Sequence, residues 1–222
     1  MIYNRLRILL PLLLLAAGSC LAGQVFYVVI DTSTVATQTG AIYFQFNPGL
    51  DPNDVTRVTF ADFAITPTPP GALLSPLSPW TLATVVDGHV EGTLDDQSLT
   101  MYNDASLNDY LHFLTFGNQI SFLAQFHVPD GVNLTSGSTL SFGLTADDGL
   151  TPILTSDPNG FMGQIGYDGS GAFTTAPLSA GVTLDAVPEP ASLPLAGTGL
   201  AGLAWLLSKA RTRRRTKGPA AG

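Results

Sequence analysis

Apolar and polar residues alternate over short stretches through the middle of this chain. Between Gln24 and Asp185 no long segment shows the three-and-four spacing of an amphipathic helix. Ile42, Phe44 and Phe46 fall on one side of an extended segment, with Tyr43 and Gln45 on the other. Ile120, Phe122, Ala124, Phe126 and Val128 alternate with Gln119, Ser121, Leu123, Gln125 and His127, and Leu140, Phe142 and Leu144 repeat the pattern. A period of two predicts strands with one face on a core. Further strands are predicted at Val25 to Asp31, Val55 to Phe63, Leu82 to Val86, Val90 to Leu94, Ser98 to Tyr102, Tyr110 to Phe116 and Val182 to Leu184.

Turn-forming residues separate these segments: Asn47-Pro48-Gly49, Asp87-Gly88, Pro129-Asp130-Gly131, Asp148-Gly149, Asp157-Pro158-Asn159-Gly160 and Asp168-Gly169 among them. They supply the fixed or positive φ that tight turns need. The pattern predicts an all-β domain over residues 23–186, an antiparallel β-sandwich that is jelly-roll-like in size, with an up-and-down barrel as the alternative. The proline-rich stretch Ala64 to Pro79 is expected to be a surface loop. No internal repeat marks a second domain.

The pattern changes at both ends. Arg5 and Arg7 precede an apolar run from Ile8 to Ala17, and the small residues Gly18, Ser19, Cys20 and Ala22 follow. That order predicts a secretory signal helix over residues 1–22, cut between Ala22 and Gly23 by signal peptidase. Its apolar part gives about 15 Å of helix, half of what a bilayer core requires. A lipidated Cys20 is the competing reading, but Ala17 stands where a large aliphatic residue is usual. Cutting after Ala22 leaves no cysteine, so the exported part cannot use a disulfide.

At the other end, Val187-Pro188-Glu189-Pro190-Ala191 is followed by the uncharged run Leu193 to Leu207, then by Lys209, Arg211, Arg213, Arg214, Arg215 and Lys217. Pro188 and Pro190 keep the chain extended around Glu189. Residues 193–207 predict one C-terminal transmembrane helix of about 22 Å, slightly short for a bilayer. The basic end at 209–217 would stay in the cytoplasm and hold the preceding domain outside.

The Pro-Glu-Pro triplet, the glycine-rich apolar run and the arginine-rich end, in that order over residues 187–217, resemble the PEP-CTERM sorting tail of Gram-negative bacteria. The resemblance implies an exported protein that an exosortase, a membrane cysteine protease-transpeptidase, recognises through Pro188, Glu189 and Pro190 and cleaves nearby. The membrane helix would then be transient, with the protein passing from the inner membrane to the cell surface or matrix. Proteins of this kind often carry one β-rich domain between the two signals.

Charge narrows the function further. One arginine, Arg57, stands against seventeen acidic residues between the two ends, a net charge of −16. Nucleic acid is therefore excluded as a partner of the exported part, because nothing there can neutralise phosphates. No Gly-x-Ser-x-Gly nucleophile turn occurs. Asp95-Asp96 and Asp147-Asp148 are adjacent pairs of the kind that cap turns rather than facing carboxylates of a glycosidase. His89, His112 and His127 are scattered on predicted strands without zinc-ligand spacing, and His112 is expected to be a partly buried core or edge residue. Asp147, Asp148 and Asp157 are weak candidates for calcium, lacking an Asp-x-Asp-x-Asp-Gly loop. The expectation is a non-catalytic surface or extracellular-matrix protein without cofactor. The alternative is a module binding extracellular polysaccharide through a platform of Tyr43, Tyr102, Tyr110 and Trp80. A glycan-active enzyme comes last.

Overall fold

The computed structural model describes residues 24–49, 56–74, 84–128 and 137–187. All of them belong to one compact unit, Leu21–Val187. The predicted signal helix and transmembrane helix lie outside the described residues. Among the described residues no helix is long and apolar enough to cross a membrane.

Thirteen strands lie among the described residues of this unit. The first six are β1 (Val25–Asp31), β2 (Thr39–Pro48), β3 (Arg57–Thr66), β4 (Thr84–Asp87), β5 (Val90–Glu91) and β6 (Thr100–Tyr102). The remainder are β7 (Asp109–Thr115), β8 (Gln119–His127), β9 (Ser138–Ala146), β10 (Pro152–Ile153), β11 (Gly163–Tyr167), β12 (Phe173–Pro177) and β13 (Val182–Val187). One sheet has the order β13-β1-β8-β3-β6-β5, and the other β12-β11-β9-β2-β7-β4, with β10 added to β9. Every pairing is antiparallel. Two sheets with separate edges make a sandwich, and the barrel alternative falls away.

The predicted alternation places the core. Ile42, Phe44 and Phe46 of β2, Ile120, Phe122 and Phe126 of β8, and Leu140, Phe142 and Leu144 of β9 are all fully buried. Rings from the two sheets meet directly: Phe44 lies 4.5 Å from Phe60 of β3 and 5.2 Å from Phe122, edge-on in the second case. Such contacts add about 0.5–1.5 kcal/mol per pair to the apolar burial. Gly40 is required where β2 passes under Phe116, since a Cβ there would stand 2.6 Å from that ring and closer still to the carbonyl oxygen of Thr145.

Two expectations about elements are corrected. Ala64 to Thr66 continue β3 instead of opening the proline-rich loop, because a bulge shifts the register against β8 between Ala61 and Ala64, with Asp62 at φ 52°. Gln97 closes that bulge with its side chain: Phe63 N donates to Gln97 Oε1 at 2.8 Å, and Gln97 Nε2 donates to Phe63 O at 3.0 Å. In addition β10, β11 and β12 were not expected from the sequence. Two glycines interrupt β11, and β12 is an edge strand without a buried row, so neither shows a clear period of two.

The sandwich end at which β1 starts carries the features that matter below. Phe26 is buried there and packs on Phe126 at 5.8 Å and on Phe173 of the opposite sheet at 5.5 Å. Thr56, Asn103 and Ser138, all buried, link the sheets through Thr56 N to Asn103 Oδ1 at 2.5 Å, Asn103 Nδ2 to Ser138 Oγ at 2.5 Å and the Thr56 and Ser138 hydroxyls at 2.8 Å. Satisfied polar groups of this kind fix one arrangement of strand ends.

Candidate functional site

The segment that precedes Pro188 is an edge strand of the first sheet. β13 pairs with β1 over six positions, from Ile30↔Val182 to Val25↔Val187. Its inward residue Val182 is buried, whereas Thr183, Asp185, Ala186 and Val187 are exposed. Gln24 extends the pairing past β1: its side-chain amide donates to Val187 O at 3.3 Å, and its own carbonyl accepts from Phe126 N at 2.9 Å. The chain therefore stays fastened to the domain up to the residue before Pro188. Gly23 and Ala22, the expected signal cleavage point, directly precede Gln24. The start of the domain and the start of the tail thus lie side by side.

Ala22, Gly23, Pro188, Glu189, Pro190, Lys209, Arg211, Arg213, Arg214 and Arg215 lie outside the described residues. Arg57, the lone cation of the exported part, is exposed at the first position of β3, across from His127.

The histidines separate into three environments. His89 is partly exposed, stacks on Tyr102 at 4.0 Å and meets Asp104 Oδ2 at 2.7 Å through Nδ1. That hydrogen bond raises its pKa. His127 meets Thr59 Oγ1 at 2.9 Å, and burial followed by the Arg57 charge lowers its pKa. His112 is buried in the core, more deeply than the partly buried core or edge position expected, and it is better partnered than the sequence indicated. Its Nδ1 is 2.8 Å from Tyr110 Oη and its Nε2 is 3.5 Å from Asp95 Oδ1. Leu94 N donates to the same Tyr110 hydroxyl at 3.1 Å.

An Asp-His-Tyr line resembles a relay, but Tyr110 is fully buried and His112 is 1 % exposed, and Asp95 alone of the three is at the surface. Burial lowers the His112 pKa against the pull of Asp95. The line joins the loop between β5 and β6 in one sheet to β7 in the other. Sequence reasoning missed it because Asp95 and His112 are separated by a whole strand.

The acidic candidates are occupied with their own turns. Asp148 accepts from Leu150 N and Thr151 N, each at 2.8 Å, and from Thr151 Oγ1 at 2.5 Å, which lowers its pKa. Asp157 accepts from Asn159 N at 3.0 Å and Phe161 N at 3.2 Å. No group of three or more histidine or acidic side chains among the described residues is placed to hold a metal ion. Asp147, Asp148 and Asp157 are not brought together as ligands.

The expected aromatic platform is dispersed. Tyr110 lies in the core. Tyr43 sits on the outer face of β2 and stacks on Phe161 at 6.1 Å, while Tyr102 belongs to β6 in the other sheet. Trp80 is outside the described residues.

Comparison with known proteins locates one feature. The family described as PEP-CTERM protein-sorting motif matches residues 186–211. The match includes Pro188, Glu189, Pro190, Lys209 and Arg211, and it begins inside β13, at Ala186. No curated protein and no solved structure matches the chain.

Proposed function

From the PEP-CTERM protein-sorting motif over residues 186–211, which marks an exported exosortase substrate sorted to the cell surface, we propose a non-catalytic surface or extracellular-matrix protein whose tail an exosortase removes. The single observation that carries the reading is the motif itself. In this reading signal peptidase releases the leader between Ala22 and Gly23. The apolar run 193–207 then holds the precursor in the inner membrane, with Lys209, Arg211, Arg213, Arg214 and Arg215 on the cytoplasmic side. Pro188, Glu189 and Pro190 are read by the exosortase and perform no chemistry.

The non-catalytic part of the proposal is supported by the use to which reactive side chains are put. Asp148 and Asp157 hold turns, and His112 and Tyr110 are buried inside the sandwich, with Asp95 alone of their line at the surface. A surface of net negative charge suits a soluble matrix component. The polysaccharide-binding alternative loses support, since Tyr43 and Tyr102 stand on different sheets and Tyr110 is buried.

The test is the intact mass of the protein recovered from the surface of cells with an active exosortase. A C-terminus near Pro188 to Ala191 is expected. A chain that still ends at Gly222 would remove the cleavage proposal.

A further inference from the structure

The sorting motif and the folded domain share residues. Ala186 and Val187 open the matched segment, and both are paired in β13, opposite Phe26 and Val25. There is no spacer. Gln24 holds the carbonyl of Val187, so the described sheet register runs up to the residue before Pro188. Phe26, 2 % exposed and wedged between Phe126 and Phe173, fixes the strand to which β13 is fastened.

Five residues, Pro188 to Ser192, separate Val187 from the apolar run that starts at Leu193. At the full extension of a trans chain that is a reach of about 20 Å. An enzyme that reads Pro188 to Pro190 next to a membrane therefore has this end of the domain against it.

What the domain offers there is a strand edge. Among the described residues β13 is hydrogen-bonded on one side, to β1, and no strand is hydrogen-bonded to its other edge, although β12 of the opposite sheet passes near it. The usual protections of an open edge, lysine, proline or a bulge, are absent from Val182–Val187, and Asp185 is its one charge. Extended peptides are recognised widely by pairing with such an edge. Arg57, exposed on β3 three strands from β13, lies about 14 Å along the same end of the sheet at ordinary strand spacing.

We infer that the exosortase docks on the folded domain, pairing with the free edge of β13 and covering the end formed by Gln24 and Val187, and that it reads the motif as a continuation of a strand that stays in the sheet. The inference rests on the exosortase reading above and goes beyond it by making the β domain part of the recognised substrate.

Two full-length variants test it, each compared with wild type in cells with an active exosortase by following tail removal with mass spectrometry. The first inserts six Gly and Ser residues between Val187 and Pro188. This leaves the motif at its natural distance from the membrane run and moves it away from β13. Tail removal is expected to slow at least tenfold, and an unchanged rate overturns the inference. The second is Tyr27→Cys with Asp185→Cys, directly opposed and both exposed, in a mature chain that has no other cysteine. Antiparallel partners stand about 4.5–5.5 Å apart at Cα, within disulfide range. The oxidised protein, with β13 locked to β1, is expected to lose its tail at the wild-type rate. An oxidised form that stays intact while the reduced form is cut shows that β13 must peel away, and overturns the inference. Melting temperatures no lower than wild type exclude misfolding in both variants. A wild-type chain that keeps its tail in the same cells counts against cleavage itself, a separate result.

Discussion

Asp109 enters the outer face of the second sheet beside Tyr43 and Gln45 of the neighbouring strand, half-buried, with Oδ1 screened from solvent and without a hydrogen-bond partner. Burial raises its pKa, the Gln45 and Tyr43 contacts oppose that, and Asp87 on the next strand adds repulsion. Burial, followed by the charge of Asp109, likewise pushes the Tyr43 phenol well above its usual range. A carboxylate whose pKa is raised by folding lowers stability above that pKa and stops doing so as pH falls through it. Asp109→Asn is therefore expected to melt at a higher temperature than wild type at pH 7, with the gap narrowing as acid protonates Asp109. Thermal melts from pH 7 to pH 4 check this, and a lower melting temperature for the variant at pH 7 contradicts it. The polar alternation around Tyr43 was legible in the sequence. The burial of Asp109 was not, because it comes from β2 and β4 flanking β7.

At the scale of elements, strands with an inward apolar row were readable and those without one were not. β2, β8 and β9 declare themselves through Phe44, Phe122 and Phe142, since each packs one face on the opposite sheet. β11 keeps Ile165 in the core, but Gly163 and Gly166 hide the period; Gly163 is needed because the Phe142 ring lies over it. Gly40 poses the same condition in β2, where backbone and ring close in together. Gly40→Ala is expected to cost about 1–3 kcal/mol, the usual penalty of overpacking a filled core. Chemical denaturation measures this as a lower midpoint at an unchanged slope. A variant as stable as wild type would mean that Phe116 can turn aside.

For the whole molecule, charge dominates. Seventeen acidic residues stand against Arg57 between residues 23 and 208, and the ion pairs among the described residues all involve a histidine. Like charges on one compact body repel, and salt screens them over about 10 Å at 0.1 M. The melting temperature of the tail-free protein is expected to rise by several degrees between roughly 10 mM and 300 mM sodium chloride, as that screening length shortens. Scanning calorimetry at fixed pH reads this directly, and a falling melting temperature would show that attraction outweighs repulsion.

The sequence by itself determined the route and the class of fold. A sorting motif such as the one matched at residues 186–211 is carried by neighbouring residues, and a period of two is a local property of each strand. Only the tertiary structure decided which strands are neighbours. It put Val187 beside Gln24 although the two are 163 positions apart, placed Asp95 against His112, and sent Tyr43 and Tyr102 to different sheets. Those outcomes depend on strand order and register, which follow from how two whole sheets bury their phenylalanines against each other. No short stretch of residues contains that information.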